Sequence, residues 1–195
     1  LHGVGASVVN ALSEETEVWV HTRGQIYYQC YHRGKPLEPV KIVGETDRTG
    51  PTTRFKPDAE IFETTEFSFD LLTHRLREMA FLNRGVKIVL KDERNNRESV
   101  FHYTGGIISF VEHLNKNKDM IHKDVIYIHK KIEDNEIEVA LQYNDSYNEI
   151  VFSFANNINT HEGGTHLSGF RSALTRTLND YAKKYNLIKD NETSL

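Results

Sequence analysis

Leu1-His2-Gly3-Val4-Gly5-Ala6-Ser7 runs directly into Val8-Val9-Asn10-Ala11-Leu12, a glycine-punctuated segment followed by apolar residues. Val4, Val8, Val9 and Leu12 recur at helical spacing, which predicts a loop feeding a short helix whose N-terminus faces the loop. Glycines at alternate positions let a backbone approach a ligand closely, and the helix behind them supplies unpaired amides at the positive end of its dipole. A nest of that kind suits the β- and γ-phosphates of a nucleotide. A glycine pair ahead of a helix more often only shapes a turn, so both readings stay open on these residues alone.

Working outward, residues 18–21, 25–31, 40–43 and 52–55 are short β-branched and aromatic runs, broken by Arg23-Gly24, Arg33-Gly34 and Thr49-Gly50. They read as an antiparallel meander. Asp70 is placed to cap a helix with Leu72, Leu76, Met79 and Ala80 on one face and Gly85 at its end. Residues 86–90 and 99–103 read as two strands hinged at Arg94-Asn95-Asn96. Thr104-Gly105-Gly106 is the candidate domain boundary, since a glycine pair after a strand permits a sharp change of direction. Beyond it come a helix bearing Ile107, Phe110, Val111 and Leu114, strands at 125–129, 136–143 and 149–154, and a long helix with Leu167, Phe170, Leu174, Leu178 and Tyr181 in one stripe.

Bulk properties set bounds. The 195 residues are 38% apolar, enough for a core, and the net charge of −4 excludes a domain whose whole surface is basic, so any contact with nucleic acid is local. The single cysteine, Cys30, precludes an internal disulfide and reads as a small core residue of a chain from a reducing compartment. No apolar run reaches the roughly 18 to 20 residues of a membrane span, so a cytoplasmic location without a membrane partner is expected. The opening on Leu1 rather than Met suggests a fragment. His161 and His166 lie five apart across Gly163-Gly164, whereas a helical zinc pair needs four, so that segment reads as a turn with Thr165 as a possible cap. Arg75, Arg77, Glu78 and Arg84 read as the polar face and terminal charges of the second helix.

Several separated segments agree, in order, with one family. They are residues 1–13, Arg75-Leu76-Arg77-Glu78-Met79-Ala80-Phe81-Leu82-Asn83, Phe101-His102-Tyr103-Thr104-Gly105-Gly106-Ile107 and Leu114-Asn115-Lys116-Asn117-Lys118. Further on stand Glu138-Val139-Ala140-Leu141-Gln142-Tyr143-Asn144, Asn156-Asn157-Ile158 and Gly163-Gly164-Thr165-His166-Leu167-Ser168-Gly169-Phe170-Arg171. Along nearly its whole length the chain resembles the DNA gyrase B family of bacterial type II DNA topoisomerases. The topoisomerase IV ATPase subunit is similar, and gyrase is preferred on residues 114–118 and 138–144.

The resemblance implies an α+β chain: residues 1–104 as the C-terminal part of a GHKL (Bergerat) ATPase α/β sandwich, and 105–195 as the N-terminal part of a transducer domain of the ribosomal-S5-like fold. It implies ATP phosphate contacts at Leu1, His2, Gly3, Val4, Gly5, Ala6 and Ser7. In the family the strand containing Thr49-Gly50 usually continues with a Thr that helps fix the adenine; here Pro51 stands in that place, with Thr52 or Thr53 as substitutes. In the family the transducer lines a central cavity that admits DNA with basic side chains, and Arg171 is the candidate for that role, against the alternative of an ordinary solvated arginine. The family's general-base Glu, Mg2+-binding Asn, adenine-reading Asp and γ-phosphate-sensing Lys have no counterparts in these residues. The isolated chain is therefore expected to lack ATPase activity. In the intact protein the implied reaction is ATP-dependent strand passage, and the implied partners are DNA, the gyrase A-subunit, and a second copy of the ATPase protein. The alternative for the isolated chain is a non-catalytic module that binds DNA or a partner.

Overall fold

The structure, a computed structural model, describes residues 3–188, so the phosphate expectations for Leu1 and His2 lie outside the described residues. The elements run α1 (Gly5–Ala11), β1 (Ser13–Thr22), β2 (Gln25–His32), β3 (Lys35–Pro36), β4 (Lys41–Glu45), β5 (Gly50–Pro57), α2 (Phe69–Leu82), β6 (Lys87–Asp92) and β7 (Arg97–His102). They continue with α3 (Ile107–Leu114), β8 (Ile126–Ile132), β9 (Asn135–Leu141), β10 (Phe154–Ala155), β11 (Ile158–Asn159) and α4 (Thr165–Lys184). Helices and strands thus mix as an α+β chain, and it divides into two compact units that part between Ser68 and Phe69.

In the first unit β1 is the central strand. It pairs antiparallel with β2 on one side, Trp19 facing Tyr28, and with β5 on the other, Trp19 facing Thr52. Arg23-Gly24 and Arg33-Gly34 both take positive φ, so each makes the two-residue turn whose twist matches a hairpin. The expected meander holds only as far as β4, which pairs with β2; β5 crosses back to the free edge of β1. Left unpaired, that ten-residue strand would expose a row of backbone donors and acceptors, and β5 satisfies them. Cys30, expected in the core, is half-buried on the sheet face it shares with Tyr28 and Glu17.

Asp58 locks the end of β5 under α1. Its amide donates to the Leu12 carbonyl, its own carbonyl accepts from Ile61 and Phe62, and its carboxylate accepts the Glu60 amide at 3.0 Å. Arg33 closes the arrangement, with Nε 2.6 Å from Asp58 Oδ2 and Nη2 2.6 Å from Glu60. The Glu60 amide foremost, and then Arg33, hold the Asp58 carboxyl below the usual carboxylate range although burial opposes them.

The second unit has an aromatic core. Phe81, 1% exposed, stacks on Tyr103 with ring centroids 3.7 Å apart and on Phe110 at 5.1 Å, and Phe110 continues to Phe152 at 5.2 Å. Helix α2 packs on the β6–β7 hairpin and on α3. It buries Phe69, Ala80 and Phe81 and leaves Met79 exposed, so the apolar stripe is rotated toward Phe81 relative to the expected one. Asp70 lies inside the first turn, where its carboxylate takes Arg97 Nη2 at 2.6 Å. Gly85 has the expected left-handed conformation, φ 76°, and donates its amide to the Tyr103 carbonyl.

The strand expected at 149–154 shrinks to β10, which pairs only with β11 across Asn156-Asn157, both at positive φ. Ser153 extends the hairpin by accepting the Thr160 amide at 2.8 Å, whereas residues 149–152 have the composition of a strand but no ladder partner among the described residues. Within the second unit Phe81 of α2 stacks on Phe110 of α3, which ties together segments on either side of Thr104. No helix among the described residues is long and apolar enough to cross a membrane.

Candidate functional site

Gly3 sits at φ 93°, a backbone state that side chains disfavour, and leads into α1, whose residues from Gly5 to Val9 are exposed. A methyl group added to Gly3 or Gly5 would meet nothing within 4 Å, so the space in front of both is open. Val4, at the N-cap position, offers no side-chain hydrogen bond, and the first-turn amides therefore have no side-chain cap. The other end of α1 is tied down: Ser13 Oγ donates to the Val9 carbonyl at 2.6 Å and the Leu12 carbonyl takes the Asp58 amide. An exposed, glycine-led amide terminus is thus carried on a helix whose far end is anchored to the sheet.

Beside α1 lies a cleft of about 220 Å3, lined by Val8, Val9, Leu12, Phe55, Phe62 and Phe67 among others. Alternation along β5 puts Pro51, Thr53 and Phe55 on one face of the strand, so the adenine-strand candidates share the face that borders this cleft. Pro51 lies about 13 Å along the strand from Phe55, and Pro51 and Thr53 are both exposed. Proline is tolerated there because β5 is an edge strand among the described residues.

The other candidates are spread over the second unit. Arg171, exposed on α4, forms an ion pair with Glu149 at 2.8 Å, so a solvated carboxylate already answers its charge. The His161 to His166 segment forms a turn, with Thr165 as the first residue of α4, and no cluster of metal-ligating side chains stands among the described residues. Arg75 pairs with Glu78, and Arg77 lies over the Phe101 ring.

One group of residues was visible in the sequence only as two unconnected motifs. Buried Asn115 donates to Gln142 Oε1 and accepts from Asn144 Nδ2, both at 2.9 Å, and Gln142 Nε2 caps the carbonyls of His122 and Lys123. These amides join residues 114–118 to residues 138–144. Deletion of the Gln142 or Asn144 amide would leave a side-chain polar atom of buried Asn115 without its partner. A second cavity, about 470 Å3, opens beside them between α3, β9 and α4.

A family model described as DNA gyrase B matches residues 106–195. The DNA gyrase B-subunit of Clostridium acetobutylicum is 58% identical over 196 residues, covering 100% of this chain and 31% of that protein. The corresponding protein of Bacillus mycoides is 55% identical, covering 100% of this chain and 49% of its own length, and that of Streptococcus pneumoniae is 55% identical over 100% of this chain and 31% of its length. The chain therefore spans between about a third and a half of these curated relatives. Among solved structures, the 43K ATPase domain of Thermus thermophilus gyrase B, in complex with an aminocoumarin, superposes with a TM-score of 0.84 at 41% identity, over 99% of this chain and 54% of that one. The B-subunit of the DNA gyrase from Myxococcus xanthus, at 23% identity and a TM-score of 0.83, shares the fold over 91% of this chain. The named relatives favour gyrase over topoisomerase IV. With an ordered set of motifs, a matching fold and more than half of its residues identical to a curated relative across its entire length, this chain belongs to the DNA gyrase B family.

Proposed function

We propose that the chain is the part of a bacterial DNA gyrase ATPase subunit in which the end of the ATP lid passes into the transducer, with residues 1–104 on the ATPase side and 105–195 on the transducer side. Gly106, where the family match begins, supports that division. The reading is carried by one observation above others: the glycine-led N-terminus of α1 is exposed, lacks a side-chain cap, and has free space before Gly3 and Gly5. Residues Gly3 to Ser7 fit a polyphosphate, because main-chain donors at a helix start attract negative charge without help from side chains. ATP, when bound, supplies the phosphoanhydride whose hydrolysis times the closing and reopening of a dimer gate. The chain's own contribution is to grip and orient the phosphates through backbone amides, while the anchored Leu12–Asp58 end keeps α1 aimed.

Pro51 and Thr53 stand on the adenine side of this proposal, with Thr53 as the residue able to donate a hydroxyl. The Mg2+-binding and water-activating residues of the family are not among those of this chain, so alone it grips nucleotide without turning it over. Arg171 contributes to a DNA-facing surface, its charge moderated by Glu149. The partners of the whole protein are DNA, a second copy of the ATPase protein and the gyrase A-subunit, and the cytoplasm is its compartment.

Gly5→Glu in the full-length protein tests the reading. Gly5 is helical, exposed and has nothing within 4 Å of an added Cβ, so a side chain there extends into open space and a carboxylate enters the phosphate path. ATP turnover, measured in the complex with the gyrase A-subunit, is expected to fall about tenfold or more for the loss of charge-assisted phosphate contacts. Unchanged turnover and unchanged apparent ATP affinity would refute the assignment of this segment.

A further inference from the structure

Arg84 occupies the turn between α2 and β6, where position alone suggests a charge serving the helix end. Its side chain goes elsewhere. Nη2 donates to Tyr127 Oη at 2.7 Å and to Glu138 Oε1 at 2.9 Å, and the guanidinium lies 5.4 Å from the Tyr127 ring centroid. Tyr127 Oη in turn donates to the same Glu138 oxygen, closing a triangle on the wet face of the β8–β9 hairpin. The preceding residue reaches out too: Asn83 Oδ1 accepts Asn157 Nδ2, from the β10–β11 turn, at 3.0 Å. Two successive side chains of one short turn therefore hold two different hairpins of the second unit.

Gly106 makes the path possible. It is buried at φ 62°, and a Cβ there would stand 2.4 Å from Arg84 Nε and 2.8 Å from Arg84 Cγ. The position needs glycine both for its backbone and to let the arginine pass. Arg84 is 47% and Glu138 35% exposed, so the ion pair adds little to stability. What the triangle does provide is direction, because an arginine donor, a ring face and a shared acceptor must all align at once.

We infer that Arg84, Tyr127 and Glu138 form a clasp that sets the orientation of the β8–β9 hairpin against the α2–β6 turn, and that Arg84 is a positioning residue coupling nucleotide turnover to DNA strand passage. The inference rests on the gyrase reading above, in which Arg84 lies on the ATPase side and its two partners on the transducer side. It requires the clasp to act on coupling while the nucleotide site itself is untouched.

The test uses the full-length protein in complex with the gyrase A-subunit, with ATP turnover and plasmid supercoiling measured on the same preparation. Arg84→Ala is expected to keep ATP turnover within about twofold of the unmodified enzyme while supercoils introduced per ATP fall about fivefold. The double exchange Arg84→Glu with Glu138→Arg is expected to recover the ratio, which a loss of general stability would not do. Tyr127→Phe keeps the ring and removes only the hydroxyl, and serves as a second variant if Arg84→Ala folds poorly; its ratio is expected to fall about twofold. An unchanged ratio in the single variants, a proportional fall in both activities, or a double exchange no better than Arg84→Ala overturns the clasp. If the unmodified complex neither hydrolyses ATP nor supercoils DNA, it is the gyrase reading that fails.

Discussion

In the unit before Phe69 the buried side chains among the described residues are Ser13, Thr16 and Asp58, whereas beyond it they include Phe69, Phe81, Phe101 and Phe110. The first unit keeps Val20, Ile42, Val43 and Phe55 exposed on its sheet and draws its order from ladder hydrogen bonds and from Asp58. The second is organised by stacked rings from three segments. Backbone ladders specify register strongly but contribute little net free energy per bond, while each buried ring removes a large apolar area from water. Two parts of one chain thus reach a defined structure by different forces, and they are expected to respond differently to the same kind of damage.

Phe81→Ala is the heaviest blow to that contrast. Removing a ring at the centre of the aromatic stack costs about 3 to 5 kcal/mol in the second unit. Trp19, the only tryptophan, lies on β1 and reports the first unit, so its emission is expected to keep its urea midpoint while hydrogen exchange in α2 and α3 accelerates. If Trp19 emission is lost at the same lowered midpoint, the two units do not unfold independently.

Asp58→Asn strikes the first unit in the complementary way, and the midpoint followed by Trp19 is expected to drop by about 5 °C or more. Its pH dependence sharpens the point. Because the folded carboxyl is held below its ordinary value, the stabilisation is fully present above that ordinary value and disappears as pH falls through the depressed one. The substitution should remove that acid-side slope from the Trp19 signal, and a slope that survives in Asp58→Asn would assign it to other carboxylates.

Thr16→Val is the finest probe. Thr16 is 4% exposed and its Oγ1 has no hydrogen-bond partner, so exchanging the hydroxyl for a methyl group removes an unsatisfied polar atom without changing shape. A gain of about 1 kcal/mol in the first unit is expected from equilibrium denaturation. A loss would show that the hydroxyl is satisfied in solution and that the polar interior of this unit is fully bonded.

Much of this was open to sequence reasoning where the controlling interactions are local. The turns at Arg23-Gly24, Arg33-Gly34 and Arg94-Asn95-Asn96 each contain a glycine or asparagine that tolerates positive φ, and Gly85 ends α2 as its position implies. Periodicity located the helices, yet it ranked Met79 as core when Phe81 is the buried residue, because the edge of a helical face is chosen by what packs against it. Residues 149–152 show the opposite failure: a strand needs a partner as well as a composition. The glycine segment was legible as a loop running into a short helix, and Gly3 and Gly5 are exposed ahead of and at the start of α1. Arg84 was not, since its partners lie 43 and 54 residues away.

Dihedral preference, spacing of apolar side chains and turn chemistry act over a few residues, so the order and kind of most elements, and the motifs that carry the family, are properties of the chain read as a string. Which strand takes the second edge of β1, which ring fills the centre of the second unit, and which hydroxyl and carboxylate Arg84 meets were decided only in three dimensions. Each of these is a choice among distant residues of nearly equal local preference, and packing density and the need to pair buried polar groups select between them.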